Sequence, residues 1–457
     1  MTDYDLIILG GGAAGLSAAR AARWEGASVA LISDAALGGD CTFTGCVPSK
    51  SLIEASRQGL DFAAGLERVE RVVATIASGE NAEVMRHEGV EVIEARGTFV
   101  GPRTIEVDGR RIEGKNIIVA TGSRPAVPPI QGLAEVPYLT NEAFFAPRPQ
   151  PKSLVIVGAG PIGCELGEAM ARFGTQVTIV EFADRILNRY EPDASALVEA
   201  SMRELGIDIR TGTGVQLVQH SNGRFTIDLG GESIECEELL IATGRTPNTT
   251  GFGLDTAGID LDRRGFVETD TFLRTNVKSV YAAGDCNGVQ MLSHAADEMG
   301  RVATWTALRV SRKYKYDPNR IPHVVFTTPE VAAIGVLEAA APDDASVAEV
   351  EMSANDRALA ADEVEGFVRL IARPTKFTRH RAGGKLIGAT IVGGRAGEMI
   401  NEVALMMRMN AYGFRLAQTV RAYPSWSTVM QKAATRWFYE YEGESARRPR
   451  RSGRGDR

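Results

Sequence analysis

The sequence predicts an α/β protein with two tandem βαβ units, followed by a separate α+β domain. Two glycine-rich turns, at residues 10–15 and 158–163, each follow a short apolar strand and open a helix. An Ala-Thr-Gly motif also occurs twice, beginning at Ala120 and at Ala242, each time after a short strand. From Arg320 onward, strand-like segments alternate and then give way to an amphipathic helical stretch.

Length and charge limit the class of protein. A chain of 457 residues is too long for one ordinary core, so we expect about three domains at the usual 100 to 200 residues each. Apolar residues make up 44% and charged residues 24%, as in globular proteins. Residues 447–457 have a net charge of +5 and the rest of the chain −12. Because phosphate binding requires a basic face, we expect no nucleic acid partner.

The cysteines indicate a reducing compartment. Five cysteines are present in a long chain, and only Cys41 and Cys46 are close in sequence. This number does not suit a disulfide scaffold, so we expect a cytoplasmic protein with one redox-active pair. The first residues lack a basic region and a cleavage site, and no apolar run is long enough to span a membrane. No cluster has metal-ligand spacing, so no metal site is expected.

The first βαβ unit is predicted from residue 5 to residue 32. A strand at residues 5–9 leads into the turn at residues 10–15, an Ala-rich helix and a strand at residues 28–32. Glycines let the backbone approach a pyrophosphate, and the helix N-terminus provides free N–H groups and a positive dipole end. This unit should therefore bind a dinucleotide. Ser33 and Asp34 follow its second strand, where an acidic ribose ligand is usual.

The second unit repeats this pattern. A strand at residues 154–157, the turn at residues 158–163 and a strand at residues 176–180 lead to Glu181. A carboxylate at this point accepts hydrogen bonds from an adenosine ribose and repels a 2′-phosphate. The second unit should therefore prefer NADH to NADPH.

Domain limits follow from composition. Residues 146–152 contain three prolines and are predicted to form a linker. The predicted parts are a first nucleotide-binding domain at 1–147, a second at 148–264, a return to the first or central domain at 265–319, a C-terminal α+β domain at 320–445, and a disordered basic tail at 446–457.

The segment GGDCTFTGCVPSK predicts redox chemistry. Cys41 and Cys46 lie just before or at a helix start, and Lys50 follows one turn later. A helix N-terminus and a lysine both stabilise a thiolate, which is the form that attacks a disulfide. Gly45 and Pro48 indicate a turn of special geometry, which two small buried side chains would not need.

The order of motifs resembles the pyridine nucleotide-disulfide oxidoreductases of the dihydrolipoamide dehydrogenase, glutathione reductase and mercuric reductase group. The resemblance covers nearly the whole chain. Its carriers are residues 10–15, GGDCTFTGCVPSK, ATGSRP, GAGPIGCE, ATGRTPN, YAAGDC, LSHAADEMGRVA, FTTPEVAAIG and LIGATIVGGRAGEMI. It implies an FAD-dependent, NADH-linked oxidoreductase that exchanges electrons between NADH, flavin and the cysteine pair. It also implies a homodimer in which the C-terminal domain completes the partner's active site.

The resemblance also implies residue roles. Cys46 would face the flavin, Cys41 would exchange with the substrate, and Lys50 would lie near the flavin ring, paired with Glu165. The residues expected to contact FAD are Gly10, Gly12, Ala13, Ala14, Gly15, Ser33, Asp34, Gly39, Lys50, Gly97, Thr121, Gly122, Asp285, His294 and Ala295. Those expected to contact NAD are Gly158, Gly160, Pro161, Ile162, Gly163, Glu181, Gly244 and Arg245.

The chain departs from this family at its C-terminal active-site segment. Members that act on dithiols usually carry a His-Pro-Thr sequence and then a Glu, whereas Tyr423 and Thr428 stand here. A phenol titrates near pH 10, so Tyr423 is a poor base, and losing a positioned base costs about 10² to 10⁴ in rate. Mercuric reductases are similar in having a Tyr near this point. They add a C-terminal cysteine pair, but no cysteine follows Cys286 here, so mercury delivery would go directly to Cys41.

Further departures lie beside the expected flavin site. Ser33 stands where the family usually has an acidic residue that binds the FAD ribose. Asp34 could make this contact only after a small backbone shift, so we expect weaker FAD binding. Asp40 stands where Thr is usual and Phe43 where Asn is usual. A carboxylate next to Cys41 should disfavour the thiolate and repel anionic substrates.

Three functions remain open at this point. The first is a reductase whose acceptor is an unusual disulfide or dithiol, a protein-bound lipoyl group or a thiophilic metal ion, with Tyr423 in the active site. The second is an NADH diaphorase in which the flavin reduces quinones directly. The third is a non-catalytic subunit that docks a carrier domain. Activity that survives Cys41→Ser would favour the second, and a flavin that NADH does not reduce would favour the third.

Overall fold

The structure is a computed structural model that describes residues 3–310, 314–375, 383–440 and 443–450. Its internal contacts divide the chain into two compact units. Unit 1 comprises Met1–Val157, Arg172–Thr175 and Val215–Pro318, and unit 2 comprises Gly158–Ala171, Gln176–Gly214 and Asn319–Arg457. These limits cut through the second βαβ segment, so the predicted domain limits stay a prediction.

The described residues form strands and helices in the following order. The strands are β1 Tyr4–Leu9, β2 Val29–Ile32, β3 Glu91–Ile93, β4 Thr98–Gly101, β5 Thr104–Val107, β6 Arg110–Val119, β7 Ser123–Pro125, β8 Ser153–Val157, β9 Gln176–Val180, β10 Asp208–Arg210, β11 Leu217–Ser221, β12 Arg224–Asp228, β13 Ser233–Cys236, β14 Glu238–Ile241, β15 Arg245–Pro247, β16 Val280–Ala282, β17 His323–Val325, β18 Glu330–Gly335, β19 Ser346–Glu351, β20 Phe367–Arg373 and β21 Lys385–Gly393. The helices are α1 Ala13–Trp24, α2 Gly39–Phe43, α3 Cys46–Arg57, α4 Phe62–Ala77, α5 Ala82–His87, α6 Asn141–Phe144, α7 Pro161–Arg172, α8 Pro192–Glu204, α9 Ser293–Ala307, α10 Asp356–Leu359, α11 Ala396–Arg408, α12 Gly413–Gln418 and α13 Thr428–Thr435.

Unit 1 is built around a parallel sheet in the order β3-β2-β1-β6-β16. Strands β2 and β16 and the last four residues of β1 are short apolar runs that are fully buried, as expected for a parallel sheet. The first half of β6 continues into an antiparallel arrangement with β5 and β4. Helix α9 packs closely on α1. A Cβ atom on Gly300 would lie only 2.3 Å from the carbonyl oxygen of Ala14, so this close contact requires a glycine.

The two Ala-Thr-Gly motifs of unit 1 meet in space. β7 and β15 follow them and pair antiparallel, with Ser123 opposite Pro247 and Pro125 opposite Arg245. Unit 1 also contains the parallel pair β8 and β14 and the antiparallel sheet β11-β12-β13. The predicted linker at residues 146–152 has no regular structure.

Unit 2 contains the parallel pair β9 and β10 and an antiparallel five-stranded sheet in the order β17-β18-β21-β20-β19. The segments that the sequence marked as strand-like after Arg320 form β17, β20 and β21. One hydrophobic core, which includes Leu370, Ile391, Ile400 and Met430, joins this sheet to α11 and α13. The predicted α/β class with a C-terminal α+β part is confirmed.

Residues 446–450, the first part of the predicted disordered tail, are among those that the structure describes. Arg447 forms an antiparallel bridge with Val347 on β19. Its guanidinium forms ion pairs with Glu338 and with Glu349, the latter at 2.7 Å. These contacts connect Arg447 to β19 and to Glu338, which a count of terminal arginines does not reveal. Residues 451–457 lie outside the described residues.

Candidate active site

The cysteine pair lies against the first glycine turn. Gly39 begins α2 and approaches Gly12 so closely that a Cβ atom on Gly39 would lie 2.9 Å from the Gly12 Cα atom. The N–H of Gly38 donates a hydrogen bond to the carbonyl of Gly11 at 2.9 Å. Helix α2 therefore places Cys41 beside the turn that is predicted to bind a dinucleotide.

Cys46 is the first residue of α3, so the predicted helix start is confirmed. Both cysteines are free thiols, with Cys41 partly buried and Cys46 exposed. Lys50 is half-buried one turn further along α3. The structure thus shows the pair in its dithiol form.

The groups around Cys41 favour its protonated thiol form. The hydrogen bond with the Cys46 thiol and then burial raise the pKa of Cys41 well above its usual range. The carboxylate of Glu80 raises this pKa further, and it also accepts a hydrogen bond from Thr42 Oγ1 at 3.0 Å. In the dithiol form Cys41 therefore stays protonated at neutral pH.

Ser293 opposes these groups. It is the first residue of α9, and its Oγ atom lies 3.3 Å from the Sγ atom of Cys46. A hydrogen bond between Ser293 and Cys41 lowers the pKa of Cys41. The positive dipole end of a 15-residue helix lies at the same place. Ser293 and the start of α9 therefore favour thiolates at this pair.

We expect Ser293→Ala to raise the pKa of Cys41 by about one unit in the dithiol protein. A hydrogen bond to a charged group contributes about 1.5 to 3 kcal/mol, and about 1.4 kcal/mol corresponds to one unit. Alkylation of Cys41 by iodoacetamide at mildly alkaline pH should slow by about tenfold, as followed by peptide mass spectrometry across a pH series. Ser49→Ala is the control, because Ser49 Oγ donates to the Cys46 carbonyl. Equal profiles for the two variants would contradict the assigned contact.

Arg245 connects the cysteine-bearing helix to the turn at Asp285. Its Nη2 atom lies 2.5 Å from Asp40 Oδ2, and its Nε atom lies 3.4 Å from Asp285 Oδ2. Ser123 Oγ accepts a hydrogen bond from Arg245 Nε at 2.6 Å and donates one to Asp285 Oδ2 at 2.6 Å. Burial raises the pKa of Asp285, while Ser123 and Arg245 lower it. Two carboxylates therefore share one guanidinium.

The first glycine turn fits a pyrophosphate. A Cβ atom at Gly10 would lie 2.2 Å from the Ala120 carbonyl oxygen, and one at Gly15 would lie 1.9 Å from the Gly10 carbonyl oxygen, so local packing requires both glycines. A Cβ atom at Gly12 would meet nothing within 4 Å among the described atoms. No described side chain caps α1 at this end. The open space and the positive helix end suit a bound anion.

The two side chains that follow β2 both have partners within the protein, and weaker FAD binding stays a prediction. Ser33 is buried, and its hydroxyl donates a hydrogen bond to the Ala35 carbonyl at 2.8 Å. The Asp34 carboxylate is paired with Arg96 at 3.0 Å. Both groups are thus already engaged within the protein.

The second glycine turn has the same open position. A Cβ atom at Gly160 would meet nothing within 4 Å among the described atoms. Gly158 has a φ of 107°, a conformation that favours glycine. The Glu181 carboxylate accepts hydrogen bonds from the N–H groups of Ala159 at 2.6 Å and Ala183 at 2.8 Å. It therefore lies beside the turn, where it can accept hydrogen bonds from ribose hydroxyls.

The other residues predicted on the flavin side differ in exposure. Thr121 Oγ1 donates a hydrogen bond to the Asn248 carbonyl at 2.6 Å. In α9, His294 is exposed and Ala295 is buried. Gly97 is buried, and a Cβ atom there would lie 2.9 Å from Leu9 Cδ2, so this glycine is required by packing. Ala14 is buried, and Ala13 and Gly122 are half-buried.

The residues predicted on the NAD side also differ in exposure. Gly163 is buried and Ile162 is half-buried, whereas Pro161 and Gly244 are exposed.

Glu165 and Lys50 belong to different units. Glu165 is buried in α7, and its Oε1 atom accepts a hydrogen bond from the N–H of Phe326 at 3.0 Å. The predicted ion pair between Glu165 and Lys50 stays a prediction.

Tyr423 is exposed and acts as a hydrogen-bond donor. Its side chain is 75% exposed, and its hydroxyl donates to Asp356 Oδ2 at 2.8 Å. This hydrogen bond, together with the negative charge of Asp356, raises the pKa of Tyr423 above its usual value. Thr428 begins α13, and its hydroxyl donates to the Ser425 carbonyl at 2.7 Å. Neither side chain therefore supplies a base.

Three residues beside the predicted sites were not predicted from the sequence. Ser123 and Ser293 form the hydrogen bonds described above, and Phe182 follows Glu181 with 85% of its surface exposed. Both serines lie within the motifs ATGSRP and LSHAADEMGRVA, so their hydroxyl groups were a usable signal. An exposed ring next to the predicted ribose ligand suits stacking on an adenine base.

Comparison with known proteins decides the family. The family profile "Pyridine nucleotide-disulphide oxidoreductase" matches residues 4–300, and the profile of its dimerisation domain matches residues 321–434. The chain belongs to the pyridine nucleotide-disulphide oxidoreductase family. It is therefore an FAD-dependent, NAD(H)-linked oxidoreductase with a dimerisation domain, which confirms the predicted enzyme class and cofactors.

Relatives in this family act in different ways. The chain is 34% identical to the mercuric reductase of Staphylococcus aureus over 432 residues, which cover 89% of this chain and 77% of that enzyme. It is 32% identical to the dihydrolipoyl dehydrogenase of Mycobacterium tuberculosis over 461 residues, which cover 94% and 97%. A copper(II) complex of RclA, a HOCl-induced flavoprotein disulfide reductase from Escherichia coli, matches with a TM-score of 0.85 and 26% identity, covering 93% of this chain and 98% of RclA.

Two other properties concern the described part of this oxidoreductase. Every helix there is too short or too polar to cross a lipid bilayer. No three His, Cys, Asp or Glu side chains in the same part come together in a way that could hold a metal ion.

Proposed function

We propose that this oxidoreductase transfers electrons from NADH, by way of FAD and the Cys41–Cys46 pair, to a thiophilic metal ion such as Hg(II) or Cu(II). The observation that carries this proposal is the state of Tyr423, whose hydroxyl donates to Asp356 and whose pKa is raised. A dithiol or disulfide substrate needs a base or acid at this position during exchange. A soft metal ion bound by two thiolates needs none.

Two of the three relatives described above support the same class of acceptor, and the third is a dihydrolipoyl dehydrogenase. One of the similar proteins is a mercuric reductase, and one of the similar structures is a copper(II) complex. Thiolates are preferred ligands of soft metal ions, and Cys46 is exposed while Cys41 is partly accessible. The contact of Ser293 with the pair favours the thiolate form that such an ion requires.

The chemistry balances without an additional reactant. When bound, FAD would supply two electrons at the cysteine pair, with NADH as their source. Cys41 and Cys46 lose their thiol protons as they bind the metal ion. The overall reaction converts NADH and Hg(II) to NAD⁺, H⁺ and Hg(0), whereas Cu(II) takes one electron per ion. Gly12 and the start of α1 would hold the FAD pyrophosphate, and Gly160 and Glu181 would hold NADH.

A homodimer is part of this proposal. The segment that matches the dimerisation domain exposes large side chains, with Val420 at 92%, Met409 at 70% and Leu405 at 59%. Exposed apolar groups of this size suit a surface that a second copy covers. We also propose a cytoplasmic location, because five cysteines in a long chain do not suit a disulfide scaffold and are typical of a reducing compartment.

The test compares acceptors for the purified holoenzyme under steady-state oxidation of NADH. We expect a rate with Hg(II), supplied as a thiol complex, or with Cu(II) that is at least about 100-fold above the rate with lipoamide or oxidised glutathione, because the base is absent. The double variant Tyr423→His, Thr428→Glu should raise the lipoamide rate by at least about tenfold and change the metal rate by less than about twofold. Lipoamide turnover by the unaltered enzyme at the metal rate would overturn the proposal.

A further inference from the structure

Three charged side chains meet between the cysteine-bearing helix and the Asp285 turn. The side chains of Arg245, Asp285 and Asp40 are 13%, 21% and 32% exposed. Asp40 Oδ1 also accepts hydrogen bonds from Thr44 Oγ1 and, at 3.3 Å, from Asn141 Nδ2. This trio therefore connects helix α2, strand β15 and the Asp285 turn in a partly buried place.

The charges of the trio make Arg245 necessary. The two ionised carboxylates carry one more negative charge than the guanidinium can compensate. Ser123 adds hydrogen bonds to Asp285 and Arg245 but no charge. Without the guanidinium, two carboxylates would face each other where water screens them incompletely, which disfavours both charged forms.

We infer that Arg245 is a positioning residue of the flavin half of the enzyme, which holds Asp40 and Asp285 together and so fixes Cys41 and its helix against the turn that receives FAD. This inference rests on the FAD site of the proposed function. This positioning role differs from the NAD contact that the motif of Arg245 predicts. The Nε and Nη2 atoms of Arg245 are already directed at Ser123, Asp285 and Asp40.

The expected consequence concerns FAD binding. Gly39, next to Asp40, packs on Gly12, the residue with the open position above the first glycine turn. Repulsion between Asp40 and Asp285 would move α2 and the Asp285 turn apart, and both border the same nucleotide site. Loss of Arg245 should therefore weaken FAD binding more than it raises the KM for NADH.

The experiment measures FAD binding to apoprotein by quenching of FAD fluorescence, together with the KM for NADH of the reconstituted enzyme. Arg245→Gln should raise the FAD dissociation constant by about 30-fold or more, the range expected when one partner of a buried charge pair is removed. Adding Asp40→Asn should reverse about tenfold of this loss, because it removes the carboxylate that lost its partner. Arg245→Lys keeps the charge without the planar fork and should fall between wild type and Arg245→Gln.

Arg124→Gln is the matched control on the neighbouring strand. Its guanidinium donates to the Pro247 carbonyl at 3.0 Å and to Asn248 Oδ1 at 3.2 Å, both uncharged groups. We expect its FAD dissociation constant to stay within about twofold of wild type. Unchanged FAD binding in Arg245→Gln and Arg245→Lys with a raised KM for NADH would overturn the inference and return Arg245 to the NAD site. An unaltered protein that binds FAD but is not reduced by NADH would instead overturn the proposed function.

Discussion

Replacing Cys41 with serine should lower the rate of metal-ion reduction by about 10³-fold or more. A hydroxyl is a poor ligand for a soft metal ion and a poor nucleophile at neutral pH, and removal of a covalent nucleophile costs several orders of magnitude. The measurement is NADH oxidation by the holoenzyme with Hg(II) as the acceptor. NADH should still reduce the flavin of the variant, because the first electron transfer does not use Cys41.

Cys164→Ser is the control for this experiment. Cys164 is fully buried in α7, where its thiol donates to the Ala159 carbonyl and burial raises its pKa. Its replacement should leave metal reduction within about twofold of wild type, since it lies outside the redox pair. Metal reduction by Cys41→Ser at the wild-type rate would contradict the proposal. Quinone reduction at the same rate in both proteins would then favour the diaphorase reading.

Replacing Arg369 with leucine should lower the free energy of unfolding by about 3 to 5 kcal/mol. Arg369 is 3% exposed in β20, so the variant leaves the buried Glu191 carboxylate without the guanidinium that faces it, and leaves Glu338 and Glu349 with Arg447 alone. Its partners are Asp193 at 2.5 Å, Glu349 at 2.7 Å, Glu338 at 3.1 Å and Glu191 at 3.8 Å. Burial raises the pKa of Glu191, whose side chain is 4% exposed. Urea unfolding followed by circular dichroism measures the change.

Arg373→Leu provides the comparison on the same strand. Arg373 pairs with Asp344 at 3.2 Å, and both side chains are about half exposed. Exposed ion pairs contribute about 0 to 1 kcal/mol, so this variant should differ little from wild type. Equal losses for Arg369→Leu and Arg373→Leu would show that the buried cluster does not stabilise unit 2 through its charges.

Local patterns in the sequence determined much of this protein. The glycine turns at residues 10–15 and 158–163 predicted their flanking strands and helices, because glycine at these points follows from the backbone geometry of a strand, turn and helix. The spacing of Cys41 and Cys46 placed a thiol at a helix start. The second βαβ pattern placed Glu181 at the end of a strand. Each of these predictions depends on residues close together in the chain, so one sequence was sufficient.

The tertiary structure alone decided which distant side chains share a charge. Arg245 is predicted from its motif to bind NAD, but its nearest partners include Asp40, far away in the chain. Ser293 lies against Cys46 for the same reason, since helix α9 packs on α1. Arg447 pairs with Glu338 and Glu349, which a terminal run of arginines does not indicate. Ion pairs and hydrogen bonds act over a few ångströms, and only folding brings such groups within that distance.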